Sequence, residues 1–323
     1  MQKLNYFKRI LSAYIFKKPS HLNFWIGTPR VNPYVNYKEL EEYYQTFEYK
    51  ADYKGHFDDK GVVQLDYRGK IGKQYYPIAI AQYGLACYNK YKRTLDKGWL
   101  EKSIIHGNWL VDNFTENNYG IHLWYANFDW EYRELLKAPW PSALAQANGI
   151  SLLVRLYQET RDERYLLASK RAYEGLITDI RKGGVALIKG NGTIWFEEVL
   201  VEPSTHILNG FMWSIMGVYD YYLLTNSDSA KDILDKSIHT LKNNLPAFDI
   251  GFWSLYELSG TKMDNMTSCF YHSLHIVQLQ ILYNITGVDS FRYYSARWAN
   301  YEKNIFFKAL SQIHKALFKL IYY

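Results

Sequence analysis

The chain has 323 residues, 48% of them apolar and 22% charged, a globular balance with room for one large domain or two smaller ones. Two cysteines, Cys87 and Cys269, make neither a disulfide framework nor a metal-ligand spacing, and no run reaches the ~18–20 apolar residues of a membrane span. The net charge of +6 sits at the ends, with six cations and no acid in residues 1–30 and four lysines after Glu302, so the body between is net acidic and nucleic-acid binding is disfavoured.

At the start of the chain, Leu4, Phe7, Leu11 and Tyr14 share one helical face among basic residues. Their apolar run is short and lacks a small-residue cleavage site, so a cytoplasmic protein is expected. Such a basic amphipathic end either packs on the body or lies on an anionic membrane surface, which would place the protein at the inner face of a membrane. Residues 30–75, rich in Tyr, Gly and Asp, read as irregular or short-strand structure covering one mouth of the body.

From residue 75 a weak repeat sets in. Around Thr94, Thr160, Thr225 and Thr286, an apolar helical run ends in a polar turn and a second helical run follows, at a spacing of roughly 60–66 residues. Tyr157, Tyr222 and Tyr283 each stand three residues before the repeat threonine. Short polar turns imply antiparallel helix pairs, and such pairs bury their second face only by stacking. The predicted fold is therefore mainly α: an (α/α) toroid over residues 75–323, with residues 1–74 packing on it. Between the second and third pairs, residues 185–188, a KGNG turn and residues 193–198 predict a β-hairpin. The last helix places Phe306, Leu310, Ile313, Leu317 and Leu320 on one face and again carries lysines.

Three features offer chemistry. Glu197 and Glu198 follow the aromatic pair Trp195–Phe196; on a strand they face opposite ways, so one can point inward while the other is solvated. A carboxyl among aromatic rings is a candidate acid or base. Tyr256 and Tyr271 bracket a polar loop. His272 and His275 share a helical face, but no HExxH or paired CxxC accompanies them, and no Walker, GxGxxG or GxSxG loop is present, so neither metal nor cofactor is expected. The 31 Tyr, 16 Phe and 10 Trp suit either an aromatic core or the apolar faces of sugar rings.

Four segments, in this order and spacing, resemble the glucuronyl C5-epimerase family: YYPIAIAQYGLACYNKY (75–91), PWPSALAQANGISLLVRLYQET (139–160), WFEEVLVEPSTHILNGFMWSIMGVYD (195–220), and LYEL (255–258) with YHSLHIVQLQIL (271–282). The similarity covers most of residues 75–300, and EExxxxPSxxxLNGF and YHxxHxxQLQ are its specific parts. It implies an (α/α) barrel that binds a uronic-acid polysaccharide and inverts glucuronate to iduronate at C5. It implies catalytic roles for Tyr256, Tyr271 and Glu198, with the two phenols on opposite sides of the sugar, and substrate contacts at Tyr76, Asn209, Trp213, Asn265 and His272. The family's β-rich insertion after the QYGL segment is missing, which implies a smaller, bacterial-type member. Val199 stands where the family has a third tyrosine, Trp213 where it has a tyrosine, and Ser259 and Ser268 where it has arginines. Those losses fit an unsulfated polymer, a lyase or hydrolase on the same scaffold, or a glycan-binding component without catalysis. A homodimer is left open.

Overall fold

The computed structural model describes residues 21–322, so the amphipathic stretch from Leu4 to Tyr14 lies outside the described residues. Four antiparallel helix pairs form the body: α1 (Pro77–Thr94) with α2 (Lys97–Asp112), α3 (Ala143–Thr160) with α4 (Glu163–Ile177), α5 (Leu208–Thr225) with α6 (Asp228–Asn244), and α7 (Cys269–Thr286) with α8 (Asp289–Lys303). A final helix, α9, spans Ile305–Tyr322.

The repeat has a common physical basis. Thr94, Thr160, Thr225 and Thr286 each donate a hydroxyl hydrogen bond to the carbonyl four residues back, at 2.7 to 2.9 Å. The next residue is left-handed in every pair: Leu95, Arg161, Asn226 and Gly287, with φ from 48° to 69°. Its amide caps the helix by bonding to the carbonyl of Tyr91, Tyr157, Tyr222 or Tyr283. In the first two pairs an aspartate then starts the return helix: Asp96 accepts from Gly98 N and Asp162 from Arg164 N.

The odd-numbered helices α1, α3, α5 and α7 are the inner ring, packed side by side in that order. α1, α3 and α5 are buried nearly all round in their first three turns and α7 from Leu274 to Leu279, whereas α2, α4, α6 and α8 bury a single stripe. The inner helices approach closely: a Cβ on Gly217 of α5 would stand 2.7 Å from Cα of Ala147 on α3. This is the (α/α) barrel of the sequence reading.

Residues 37–51 depart from the expected cover over one mouth. They run along the inner helices. Asn89 of α1 bonds the backbone of Tyr43 and Gln45. Tyr44 Oη donates to Asp220 of α5 at 2.6 Å, and Gln45 accepts from the Trp213 indole at 3.1 Å. The aromatic side chains explain the change, because Tyr43, Tyr44 and Phe47 are all buried and need an apolar neighbourhood on every side. A small sheet follows, with strands β1 (His56–Phe57), β2 (Val63–Asp66) and β3 (Lys73–Gln74). The predicted hairpin is present as β4 (Ala186–Ile188) and β5 (Ile194–Phe196), with Ala186 opposite Phe196. Cys87 and Cys269 are free thiols. Among the described residues no helix is long and apolar enough to cross a membrane.

Candidate active site

The N-terminal ends of all four inner helices converge on one cavity of about 520 Å³. Tyr76 and Gln82 reach it from α1, Leu144 from α3, Asn209 and Trp213 from α5, and Ser268 and Tyr271 from α7. Tyr256 comes from the loop before α7, Glu198 from the end of the hairpin, and Lys315 from α9. Each helix N-terminus carries a partial positive charge, so the cavity favours an anion.

Glu198 packs on the first turn of α5. Its only polar contact among the described residues is a 3.5 Å one from Asn209 Nδ2. Desolvation, followed by repulsion from Glu257, lifts its pKa to about 8. A Cβ on Gly210 would lie 2.4 Å from Glu198 Oε2, so glycine leaves the space that the carboxylate occupies. Glu197 takes the other direction, as alternation requires, but it is not solvated. It is buried and pairs with His206 Nδ1 at 2.5 Å, which anchors the loop leading into α5.

Tyr256 and Tyr271 are neighbours. Their ring centroids are 5.0 Å apart in an edge-to-face contact. Rings in contact leave no room for a sugar between them, so the expected pair of flanking phenols is corrected to a single phenolic wall. Tyr256 is held by backbone bonds from its own amide to Asn265 O (2.7 Å) and from Leu208 N to its carbonyl (3.0 Å). Ser268 caps α7 and accepts from Tyr271 N. Tyr76, close to both Glu198 and Tyr271, has its pKa raised by burial. Gln82 Oε1 and Asn209 Oδ1 are buried with no hydrogen-bond partner among the described residues.

His272 is not at the cavity. Its ring stacks on Trp253 at 3.8 Å, and Nε2 lies 3.1 Å from the Trp298 carbonyl. A carbonyl only accepts, so Nε2 carries the proton and Nδ1 accepts from Ser254 Oγ at 2.7 Å. Burial lowers its pKa to about 4, leaving it neutral. The expectation that it contacts substrate is corrected: the flat ring fills the core between α7 and α8. Asn265 reaches the site indirectly, accepting from Lys315 Nζ at 2.6 Å. Among the described residues no group of three His, Cys, Asp or Glu is arranged to hold a metal ion.

The model of the D-glucuronyl C5-epimerase C-terminus matches residues 117–300. The chain belongs to that family. The D-glucuronyl C5-epimerase of Caenorhabditis elegans is 29% identical over 211 residues, which cover 60% of this chain and 34% of that protein. The uncharacterized protein MJ1128 of Methanocaldococcus jannaschii is 28% identical over 244 residues, 71% of this chain and 78% of that protein. This chain thus spans about a third of the worm protein. Among solved structures, the Lin0763 protein from Listeria innocua superposes with a TM-score of 0.49 at 17% identity, over 70% of this chain and 60% of that chain.

Within the family frame, the departures have distinct surroundings. Val199 is buried in the core, and Ser259 is buried with its carbonyl 3.4 Å from Arg133 Nη1. Three participants escaped the sequence reading. Gly210 is visible only as part of LNGF. Lys50 lines the cavity fully buried among Phe24, Trp25 and Tyr49, donates to Phe24 O at 3.0 Å, and has its pKa lowered by desolvation. Lys315 sits on a helix outside the matched residues, and nothing in its local pattern marks it from the lysines around it.

Proposed function

We propose that this protein epimerises hexuronate residues of a polysaccharide at C5. The observation that carries the reading is the convergence of Glu198, Tyr256 and Tyr271 on one anion-favouring cavity, with Glu198 poised near pH 8. A group with that pKa is available both as base and as acid at working pH.

The C5 proton lies α to the C6 carboxylate. A base takes it, and the C–H electron pair moves onto the carboxylate as enolate-like charge. Helix N-termini around the cavity stabilise that charge as it develops. A proton delivered to the opposite face of C5 reforms the C–H bond with inverted configuration. In this reading Glu198 works at one face and the Tyr256–Tyr271 wall at the other. An ordinary phenol has a pKa near ~10, so the wall keeps its protons at working pH and has one to give, whereas Glu198, with a pKa of about 8, is the group of the two with a deprotonated form available to accept one. No cofactor is needed to balance the step, because one proton leaves and one arrives. Trp213 and Tyr76 offer aromatic surface to a sugar face.

Incubation with unsulfated heparosan chains in heavy water tests this. Deuterium at C5 of intact chains is the expected result. Ultraviolet-absorbing unsaturated ends would instead mean that O4 is expelled after the same deprotonation, and binding without exchange would remove the catalytic reading. Tyr271→Phe is expected to keep binding and lose exchange; unaltered exchange in that variant removes the phenol from the mechanism.

A further inference from the structure

Helix α9 is laid over the cavity in an inverted orientation. Phe306, Leu310, Ile313 and Leu317, on the apolar face of the helix, are exposed, by 48 to 80%, while Leu320 at its end reaches the cavity rim. The opposite face turns toward the body and brings Lys315 to the cavity wall, with Ser311 and Phe318 buried beside it. An amphipathic helix on a globular body ordinarily faces the other way. A lysine-lined face pointing inward requires something anionic or polar to receive it.

The surroundings of Lys315 meet that requirement only in part. Its ammonium donates to Asn265 Oδ1 at 2.6 Å and stands 5.0 Å from the Tyr256 ring centroid. It makes no ion pair within 4 Å among the described residues; Glu257, which acts on it through space, already accepts the Tyr132 hydroxyl. An ammonium has three donors, and one is used. Lys50, which also lines the cavity, is enclosed by rings and its charge is suppressed by burial. Ser259 and Ser268 bring no charge where the family resemblance expects arginines.

We propose that Lys315 binds the C6 carboxylate of the hexuronate, so that α9, beyond the family's matched residues, completes the site. This rests on the epimerase reading for the identity of the ligand, but not for the charge it carries. The carboxylate would take the two remaining donors of the ammonium, next to the phenolic wall. The same contact would strengthen as enolate charge grows on that carboxylate, making Lys315 a catalytic residue as well as a binding one.

The test compares a heparosan octasaccharide with its carboxyl-reduced counterpart, by calorimetry and by C5 exchange in heavy water, on the wild type, Lys315→Met and Lys315→Arg. The wild type is expected to prefer the carboxylate form. Lys315→Met should weaken that ligand about ten- to a hundredfold, the range for a charged hydrogen bond, and leave the reduced one unchanged. Lys315→Arg should recover most of the preference. Equal weakening of both ligands would assign Lys315 a merely structural role and overturn the proposal, as would no weakening of either. If the preference collapses in Lys315→Met while the wild type shows no C5 exchange, the epimerase reading fails and the carboxylate assignment stands.

Discussion

The two ends of the inner helices treat buried charge in opposite ways. Toward their C-termini, Arg155 of α3 and Asp220 of α5 are fully buried and joined by two bonds of 2.8 and 3.0 Å. Tyr44 adds a third bond to Asp220, while Glu41 O accepts from Arg155 Nε and Ser151 O from Nη1. Toward their N-termini, Glu198 and Lys315 are withdrawn from water without an ion-pair partner within 4 Å among the described residues, and burial pushes both pKa values to about 8. A satisfied network holds a fold together, whereas an unsatisfied one holds groups near their titration points and ready for a ligand. By this contrast the C-terminal ends of the inner helices form the scaffold and their N-terminal ends the candidate site.

The largest effect expected from breaking this contrast is on turnover. Glu198→Gln should lower C5 exchange by about 10²–10⁴-fold, the range for a removed acid–base group. It should also separate the two ends by pH. The unfolded chain carries this carboxyl near the ordinary ~4.3. Between that value and about 8 the folded state holds more proton than the unfolded one, so its stability falls as pH rises through that window. Urea midpoints across it should show the wild type losing stability relative to Glu198→Gln; parallel curves would mean that the carboxyl is not desolvated.

At the scaffold end, Asp220→Ala leaves the Arg155 charge buried without its partner. A loss of about 3–5 kcal/mol in unfolding free energy is expected. A loss under about 1 kcal/mol would show that water replaces the carboxylate and that this end is not the rigid one. Gly210→Ala sharpens the comparison between packing and chemistry. The added methyl meets the flexible end of Glu198, with its Oε2 2.4 Å away and its Cβ at 3.1 Å. Stability should change by about 1–3 kcal/mol at most, the usual cost of overpacking, while exchange falls roughly as far as the carboxylate is displaced; wild-type exchange would place Glu198 outside the mechanism. The smallest effect belongs to the turns. Leu95 is exposed and left-handed, with φ 57°. Leu95→Gly should relieve that strain and raise thermal stability, by less than about 1 kcal/mol after the greater freedom of the unfolded chain is counted.

Much of the architecture was legible. The threonine turns predicted four helix pairs because a left-handed cap, a hydroxyl bond back along the helix and an acidic start to the next helix are local events, written in neighbouring residues. The hairpin was legible for the same reason. Of the eight candidate site residues that the family resemblance pointed to, Glu198, Tyr256, Tyr271, Tyr76, Asn209 and Trp213 line the cavity, and Asn265 and His272 do not.

What remained hidden depends on which partner a face meets. The 3.6-residue period shows that Phe306, Leu310, Ile313, Leu317 and Leu320 share a face, but not that this face points outward. Lys315 lies on the opposite face and lines a cavity whose walls come from segments far apart in the chain, which no local pattern around it records. His272 lies next to Tyr271 in sequence, yet successive side chains on a helix diverge by ~100°. One went to the cavity and the other to the core between Trp253 and Trp298. Residue types and local patterns determined the helices, their turns and the reactive groups available. Only the tertiary structure decided which of those groups share one desolvated space, because burial and charge pairing are set by contacts between distant parts of the chain.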